Sequence, residues 1–134
     1  MIDKIDHIGI AVRDIEKAIA LFRDQIGLDF KGVEEVEDQK VKIAFFTIGE
    51  SKVELLQTTE PAGPIGKFID KKGEGVHHIS LRVKDIEAKL KELKAGGVEL
   101  IDNEPRLGAG GAKIAFLHPK STGGVLLELC QHDD

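Results

Sequence analysis

Large apolar side chains alternate with small or polar ones near the start of the chain, and this period of two predicts a half-buried β-strand. The large side chains of this strand are Ile8, Ile10 and Val12. The apolar spacing then changes to three and four residues, which predicts an amphipathic helix. Its apolar positions are Ile15, Ala18, Ile19 and Phe22. Asp14 is suited to cap the start of this helix and Gly27 to end it.

The same pattern recurs in the second half of the chain. Three pairs of segments match in the same order: 7–16 with 78–87, 42–45 with 113–116, and 53–57 with 127–131. The offset is 71 residues for the first two pairs and 74 for the third, and six of the first ten paired residues are identical. Matches in order at a nearly constant offset indicate two copies of one structural module.

Each copy is predicted to consist of a strand, a helix and three further strands (βαβββ). The two modules cover about 2–57 and 76–131, and a segment containing proline and glycine, 58–75, connects them. We therefore expect an α+β fold in which two modules related by pseudo-two-fold symmetry form a single domain over residues 1–134.

The three later strands of each module follow from short apolar runs. We expect the first of them directly after each helix, at 28–30 and at 98–101, and the acidic segment 34–38 to be solvated surface. The remaining strands are expected at about 41–48, 52–57, 112–117 and 125–131.

Composition narrows the class of protein. Apolar residues make up 41% of the 134 and charged residues 32%, which is typical of a soluble globular domain. Cys130 is the one cysteine, which excludes an intrachain disulfide and a cysteine-based zinc site. The net charge of −5 and the absence of Trp and Tyr argue against nucleic-acid binding. No targeting or membrane-spanning segment is recognised, so we expect a cytoplasmic protein without a membrane partner.

Histidines occur at equivalent positions of the two modules. His7 lies on the strand face opposite the large apolar side chains, beside Gly9 and Ala11. These small residues leave room next to the imidazole, which favours a concave face. The repeat places His78 in the same way.

Glutamates are repeated as well. Glu54 lies between Val53 and Leu55, which face the helix, so its carboxylate points to the same face as His7. Glu128 is its counterpart in the second module. A carboxylate within a strand is costly to bury unless it is paired or bound to a cation. Two imidazoles and two carboxylates therefore predict a site for a divalent metal such as Co²⁺, Mn²⁺, Ni²⁺, Zn²⁺ or Fe²⁺.

The chain resembles the vicinal oxygen chelate superfamily, whose members are built from paired βαβββ modules that form a cup around a metal. Within it, the chain is most similar to the methylmalonyl-CoA epimerase family. The matching stretches are Asp6–Val12, Gly75–Ile79, Leu107–Gly111 and, most specifically, Phe116–Leu129.

This resemblance implies an isomerase that interconverts (2R)- and (2S)-methylmalonyl-CoA through an enolate, with a divalent cation, by family likeness Co²⁺, as cofactor. The metal ligands implied are His7, Glu54, His78 and Glu128. Glu128 is expected to be one proton carrier. The family uses a carboxylate of the third strand as the other, where this chain has Lys42-Ile43, so Glu54 or a residue of 34–38 is expected in that role.

Further expectations concern the substrate, an acyl-CoA, and the partner, a second copy of the chain. The candidates for substrate binding are Lys120, Gly110, Gly111 and Arg82. We expect His118 to serve the turn before Pro119, and the thiol of Cys130 to be buried without a catalytic role.

Three other functions remain open. A lactoylglutathione lyase shares the scaffold, the metal and the two glutamates. A small-molecule sequestering protein of this fold is a non-enzymatic alternative, and such members usually lack the metal ligands. A ring-cleaving dioxygenase needs a two-histidine, one-carboxylate iron site.

Overall fold

A computed structural model describes residues 2–133 of the protein. Their contacts divide them into two units, His7–His77 on the one hand and residues 2–6 with 78–133 on the other. The first strand, β1 (Ile2–Ala11), contributes residues to both. The organisation into a single domain stays a prediction.

The unit His7–His77 contains the first βαβββ module. Its further elements are α1 (Ile15–Ala20), β2 (Asp29–Val36), β3 (Val41–Ile48), β4 (Ser51–Thr58) and α2 (Pro64–Lys72). The strands lie in the order β2-β3-β4-β1; β2 is antiparallel to β3, β3 is antiparallel to β4, and β4 is parallel to β1. The predicted order of elements is thus confirmed for this module, although β2 is longer than expected.

Both predicted ends of the first helix are confirmed. The Asp14 side chain accepts a hydrogen bond from the backbone N of Lys17, and Gly27 ends the helix with φ of 91°. Beyond α1 the chain continues as a π-helical segment, Leu21–Ile26, which the apolar spacing did not predict.

The core of this unit lies between α1 and one face of its strands. The helix positions predicted to be apolar pack there against Val12, Ala44, Phe46 and Leu55. Leu55 faces this core whereas its neighbour Glu54 faces away from it, as strand parity predicts.

The connecting segment 58–75 contains α2, a helix that the sequence reading did not include. It begins with Pro64 directly after Gly63, an arrangement that suits the first turn of a helix. Gly66 is buried in this turn, and a Cβ there would lie 2.3 Å from the carbonyl oxygen of Pro61. Only glycine fits this close approach of helix and loop.

The unit of residues 2–6 with 78–133 contains the second module. The strand β5 (Gly75–Val83) belongs to this unit from residue 78 onward. The other elements are α3 (Ile86–Ala95), β6 (Arg106–Leu107), β7 (Lys113–Phe116) and β8 (Leu127–Gln131). The strands lie in the order β5-β8-β7-β6. Asp85 caps α3 by accepting a hydrogen bond from Ala88 N, and Gly96 ends it. The core is again formed by the helix and one sheet face; its buried residues are Val83, Ile86, Leu90, Ala115, Leu117 and Leu129.

The strand predicted at 98–101 is wrong. Within this segment only Leu100 forms an isolated bridge, to Leu117, and the strand that pairs with β7 is β6. The backbone N atoms of Ile101 and Asp102 both donate to the carbonyl oxygen of Phe116, at 3.0 and 3.2 Å. Two successive amides that share one acceptor cannot continue a ladder, so pairing stops there and resumes at Arg106.

Three short 3₁₀ turns complete the described chain: Glu37–Gln39, Ala109–Gly111 and Pro119–Ser121. Within residues 2–133, no helix is long and apolar enough to span a membrane.

Candidate active site

The first candidate pair, His7 and Glu54, lies on adjacent parallel strands. The register of β1 and β4 places Gly9 beside Glu54, so His7 is two residues away on the same face. Nδ1 of His7 is 3.3 Å from Oε2 of Glu54. Both residues are buried, with 7% and 5% of their surface exposed. The imidazole and the carboxylate therefore meet in a largely desolvated place.

The second pair, His78 and Glu128, repeats this arrangement on β5 and β8. Ser80 is the register partner of Glu128, and His78 precedes Ser80 by two residues. Nε2 of His78 lies 4.0 Å from Oε1 of Glu128, and both residues are buried. Each module therefore supplies one imidazole and one carboxylate at equivalent strand positions, as the repeat predicts.

These donor atoms suit a divalent cation. Imidazole nitrogen and carboxylate oxygen together bind first-row divalent metals, and neutral histidine with ionised glutamate is the protonation state such binding needs. Burial makes an ionised carboxylate costly, and a cation offsets that cost. A carboxylate can also accept and donate a proton, so the same side chains are candidates for proton transfer.

Phe116 is a neighbour of the second pair that the sequence analysis missed. Its ring packs edge-on against the His78 imidazole, with centroids 5.6 Å apart, and it is the register partner of Glu128. Phe45 holds the equivalent register position opposite Glu54. The sequence does indicate that these two phenylalanines are equivalent, because the repeated Lys-Ile-Ala-Phe segments end on Phe45 and Phe116.

Arg82 is held by a buried carboxylate. Its Nε and Nη2 each lie 3.0 Å from Oδ1 of Asp6, which is 1% exposed. Nε2 of His132 lies 3.4 Å from the same oxygen. The guanidinium thus has a structural partner, and a direct role of Arg82 in substrate binding stays a prediction.

The thiol of Cys130 is buried, as expected. Burial, together with the nearby carboxylates of Asp6 and Glu128, raises the pKa of Cys130 to about 12. The thiol is therefore neutral at physiological pH and a poor nucleophile.

The other substrate-binding candidates lie in turns. Lys120 is exposed, and its backbone N donates to Nδ1 of His118 at 3.0 Å, which gives His118 the structural role predicted for it. Gly110 and Gly111 have φ of 67° and 76°, a backbone conformation that favours glycine. A role of these residues in substrate binding stays a prediction.

Two candidates for a second proton carrier differ in surroundings. In the segment 34–38 every acidic side chain is exposed, as predicted for solvated surface. Lys42 lies on β3 opposite Gln57, so this position of the third strand carries no carboxylate. Glu54 is buried beside His7, which suits a proton carrier better than an exposed glutamate.

Comparison with known proteins shows a family likeness over most of the chain. Residues 6–116 match the family model of the Glyoxalase/Bleomycin resistance protein/Dioxygenase superfamily. The chain is 44% identical over 129 residues to the uncharacterized protein YqjC of Bacillus subtilis, covering 96% of this chain and 92% of the relative. It is 38% identical over 133 residues to an ethylmalonyl-CoA/methylmalonyl-CoA epimerase of Cereibacter sphaeroides, covering 98% and 99%.

Solved structures agree with this likeness. A methylmalonyl-CoA epimerase in complex with methylmalonyl-CoA and NH₄⁺ superposes with a TM-score of 0.94 at 37% identity, covering 98% of this chain and 95% of that one. The predicted fold class, α+β with two βαβββ modules, is thereby confirmed as the glyoxalase fold. The relatives named as epimerases are enzymes of the racemase and epimerase class.

Proposed function

Since the chain belongs to the Glyoxalase/Bleomycin resistance protein/Dioxygenase superfamily, we propose that it is a metal-dependent epimerase of methylmalonyl-CoA. The observation that carries this proposal is the repeated buried pair of histidine and glutamate, His7 with Glu54 and His78 with Glu128. The named epimerases at 37–38% identity over nearly the whole chain support the choice of substrate.

The proposed ligands of the metal are His7, Glu54, His78 and Glu128. A bound divalent cation supplies Lewis acidity toward the thioester oxygen and the carboxylate of the substrate. The imidazoles bind as neutral bases, and the buried positions of all four side chains keep bulk water from competing for them. Co²⁺ is the ion we propose, with Mn²⁺, Ni²⁺ or Zn²⁺ accepted by the same donor set.

Epimerisation requires two proton carriers, because the proton leaves C2 on one face and returns on the other. We assign removal and return to the carboxylates of Glu128 and Glu54. A carboxylate oxygen of one glutamate takes the C2 proton as the enolate of the thioester forms. The other glutamate donates a proton to the opposite face, from a carboxyl oxygen that the metal would leave free.

The test is exchange of the C2 proton for deuterium. Methylmalonyl-CoA is incubated with the protein and Co²⁺ in D₂O, and deuterium at C2 is followed by NMR. The hemithioacetal of methylglyoxal and glutathione is offered in a parallel reaction. We expect deuterium exchange with methylmalonyl-CoA and no turnover of the hemithioacetal. Turnover of the hemithioacetal only would indicate the lactoylglutathione lyase activity instead, and inertness toward both would favour a sequestering protein.

Variants assign the proton carriers. Glu128→Gln and Glu54→Gln keep the size of each side chain and remove its capacity to carry a proton. We expect each to lower the exchange rate by about 100-fold or more. Glu104→Gln, at an exposed position of the second module, is the matched control and is expected to exchange like the wild type. Full activity of Glu128→Gln would overturn the assignment.

The acyl-CoA is the proposed small-molecule partner. The homodimer and the cytoplasmic location stay predictions from the sequence.

A further inference from the structure

A half-exposed arginine, Arg106, is connected to the second histidine–glutamate pair through one aromatic ring and has no part in the function described so far. Arg106 begins the two-residue strand β6, and its guanidinium lies over the ring of Phe116, with 5.7 Å between Cζ and the ring centroid. Phe116 is the side chain that packs edge-on against His78 and pairs in register with Glu128. One aromatic ring thus contacts both the guanidinium and a proposed metal ligand.

Asp102 holds this arrangement in place. Its Oδ1 lies 3.4 Å from Nε of Arg106, and its Oδ2 accepts a 2.8 Å hydrogen bond from the backbone N of Phe116. Asp102 is largely buried, with 17% of its side chain exposed. The carboxylate therefore fixes the inner edge of the guanidinium relative to the backbone that carries Phe116. Stacking and this contact together restrict a side chain that is otherwise among the most mobile.

The outer edge of the same guanidinium is open. The Arg106 side chain is 48% exposed, and within residues 2–133 its two terminal amino groups have no protein hydrogen-bond acceptor. Arg82, which lies on β5, differs in this respect because it is bound to the buried Asp6. Arg106 is consequently the arginine of this unit that is both positioned and available to an anion.

We propose that Arg106 binds a phosphate group of the CoA portion of the substrate. This inference rests on the proposed function, in which a bound metal would hold the acyl carboxylate and the thioester oxygen. Arg106 reaches His78 and Glu128 only through Phe116, so it meets a part of the ligand beyond the reacting atoms. The pantetheine arm carries the phosphates away from the thioester. A guanidinium with two free amino groups matches the geometry of phosphate oxygens.

The charge of the chain is a second reason to expect that this contact contributes to substrate binding. The chain carries a net charge of −5, which repels a polyanionic substrate at long range. An arginine held at the edge of the site supplies attraction where the phosphates arrive. The stacked guanidinium is already ordered, so binding costs little additional side-chain entropy.

The experiment compares two substrates that differ in the nucleotide, which carries the phosphates. Methylmalonyl-CoA and methylmalonyl-pantetheine share the acyl group and the thioester, and the second lacks the nucleotide. We measure kcat/KM of C2 exchange for both with the wild type, Arg106→Ala and Arg106→Lys. We expect Arg106→Ala to lower the ratio of kcat/KM for the CoA ester to kcat/KM for the pantetheine ester by about tenfold. Arg106→Lys should retain part of this ratio, because lysine keeps the positive charge but lacks the paired N–H donors of the guanidinium.

Arg23→Ala is the matched control. Arg23 also stacks on an aromatic ring, that of Phe30 at 5.9 Å, and also contacts an aspartate, Asp24. We expect Arg23→Ala to leave the ratio of kcat/KM for the CoA ester to kcat/KM for the pantetheine ester at the wild-type value. An equal loss for both esters in Arg106→Ala would overturn the proposal, since it would mean that the side chain acts on the reacting centre or on the packing of Phe116.

Binding of CoA alone separates this inference from the proposed function. The dissociation constant of CoA is measured by calorimetry for the wild type and for Arg106→Ala, each with its thermal unfolding recorded. About tenfold weaker binding in the variant supports the phosphate contact even if no exchange is catalysed. Equal affinity in the two proteins overturns the contact even if methylmalonyl-CoA is epimerised.

Discussion

The side chain of Gln57, at the end of β4, accepts a 2.7 Å hydrogen bond from the backbone N of Ile15, the first residue of α1. The second module repeats this contact, because Gln131 of β8 accepts a 2.9 Å hydrogen bond from the backbone N of Ile86, the first residue of α3. In both modules, therefore, the last strand binds an amide at the start of the helix that intrahelical hydrogen bonds leave unpaired.

Removal of this acceptor is expected to destabilise the fold. Gln57→Ala leaves the amide of the buried Ile15 without its partner, and the free energy of unfolding should fall by about 1–3 kcal/mol. Denaturant unfolding followed by circular dichroism measures the change. Gln57→Glu keeps an acceptor at the same distance from the helix and is expected to retain most of the stability. Equal losses in both variants would show that the side chain matters through packing instead.

Gly108 is expected to tolerate no side chain. A Cβ at this position would lie 2.9 Å from Cγ2 of Ile114, which is buried. Gly108→Ala should therefore cost about 1–3 kcal/mol of stability through overpacking. Gly96→Ala is the control, since its Cβ would meet nothing closer than 3.5 Å. Comparable unfolding midpoints for the two variants would contradict the predicted clash.

Cys130 should be unreactive in the folded protein. With the pKa of its thiol raised to about 12 and the residue buried, we expect disulfide reagents at pH 8 to label it only after denaturation. The unfolded thiol ionises near pH 9.0, so the stability that the neutral buried thiol contributes falls as pH rises above that value. The unfolding free energies of wild type and Cys130→Ala should accordingly differ less at higher pH. Rapid labelling of the native protein would contradict this.

The four proposed ligands are expected to hold a single ion per chain. His7→Ala and His78→Ala should each weaken binding of Co²⁺ by at least about 100-fold, measured by calorimetry on metal-free protein. His77→Ala is the matched control, because His77 adjoins His78 in sequence but packs edge-on against Phe68 at 4.9 Å. Two ions per wild-type chain, with one lost in each variant, would mean that the two pairs bind metal separately.

The repeat is the reason that so much of the fold could be predicted. Strand parity placed His7 and Glu54 on the face opposite the core because the period of two is set by backbone geometry alone. The Asp14 cap and the Gly27 end could be predicted for a similar reason, since both follow from local hydrogen bonding and backbone conformation.

Other features depended on contacts distant in sequence. The strand expected at 98–101 is replaced by a bridge and a loop because two amides share the carbonyl of Phe116, which no local pattern reveals. The helix α2 was not predicted because the prolines and glycines of its segment indicate a loop, although Pro64 in its first turn is compatible with a helix. The stacking of Arg106 on Phe116 likewise arises from the pairing of β6 with β7.

The dependence of catalysis on a divalent metal is tested most directly by deuterium exchange at C2 of methylmalonyl-CoA before and after metal removal. The same preparation is assayed as purified, after EDTA treatment and dialysis, and after addition of Co²⁺. We predict rapid exchange in the first and third samples and, in the second, a rate lower by at least about 100-fold. Exchange that survives EDTA at the original rate, or that Co²⁺ fails to restore to a protein still folded, would contradict a metal-dependent epimerase.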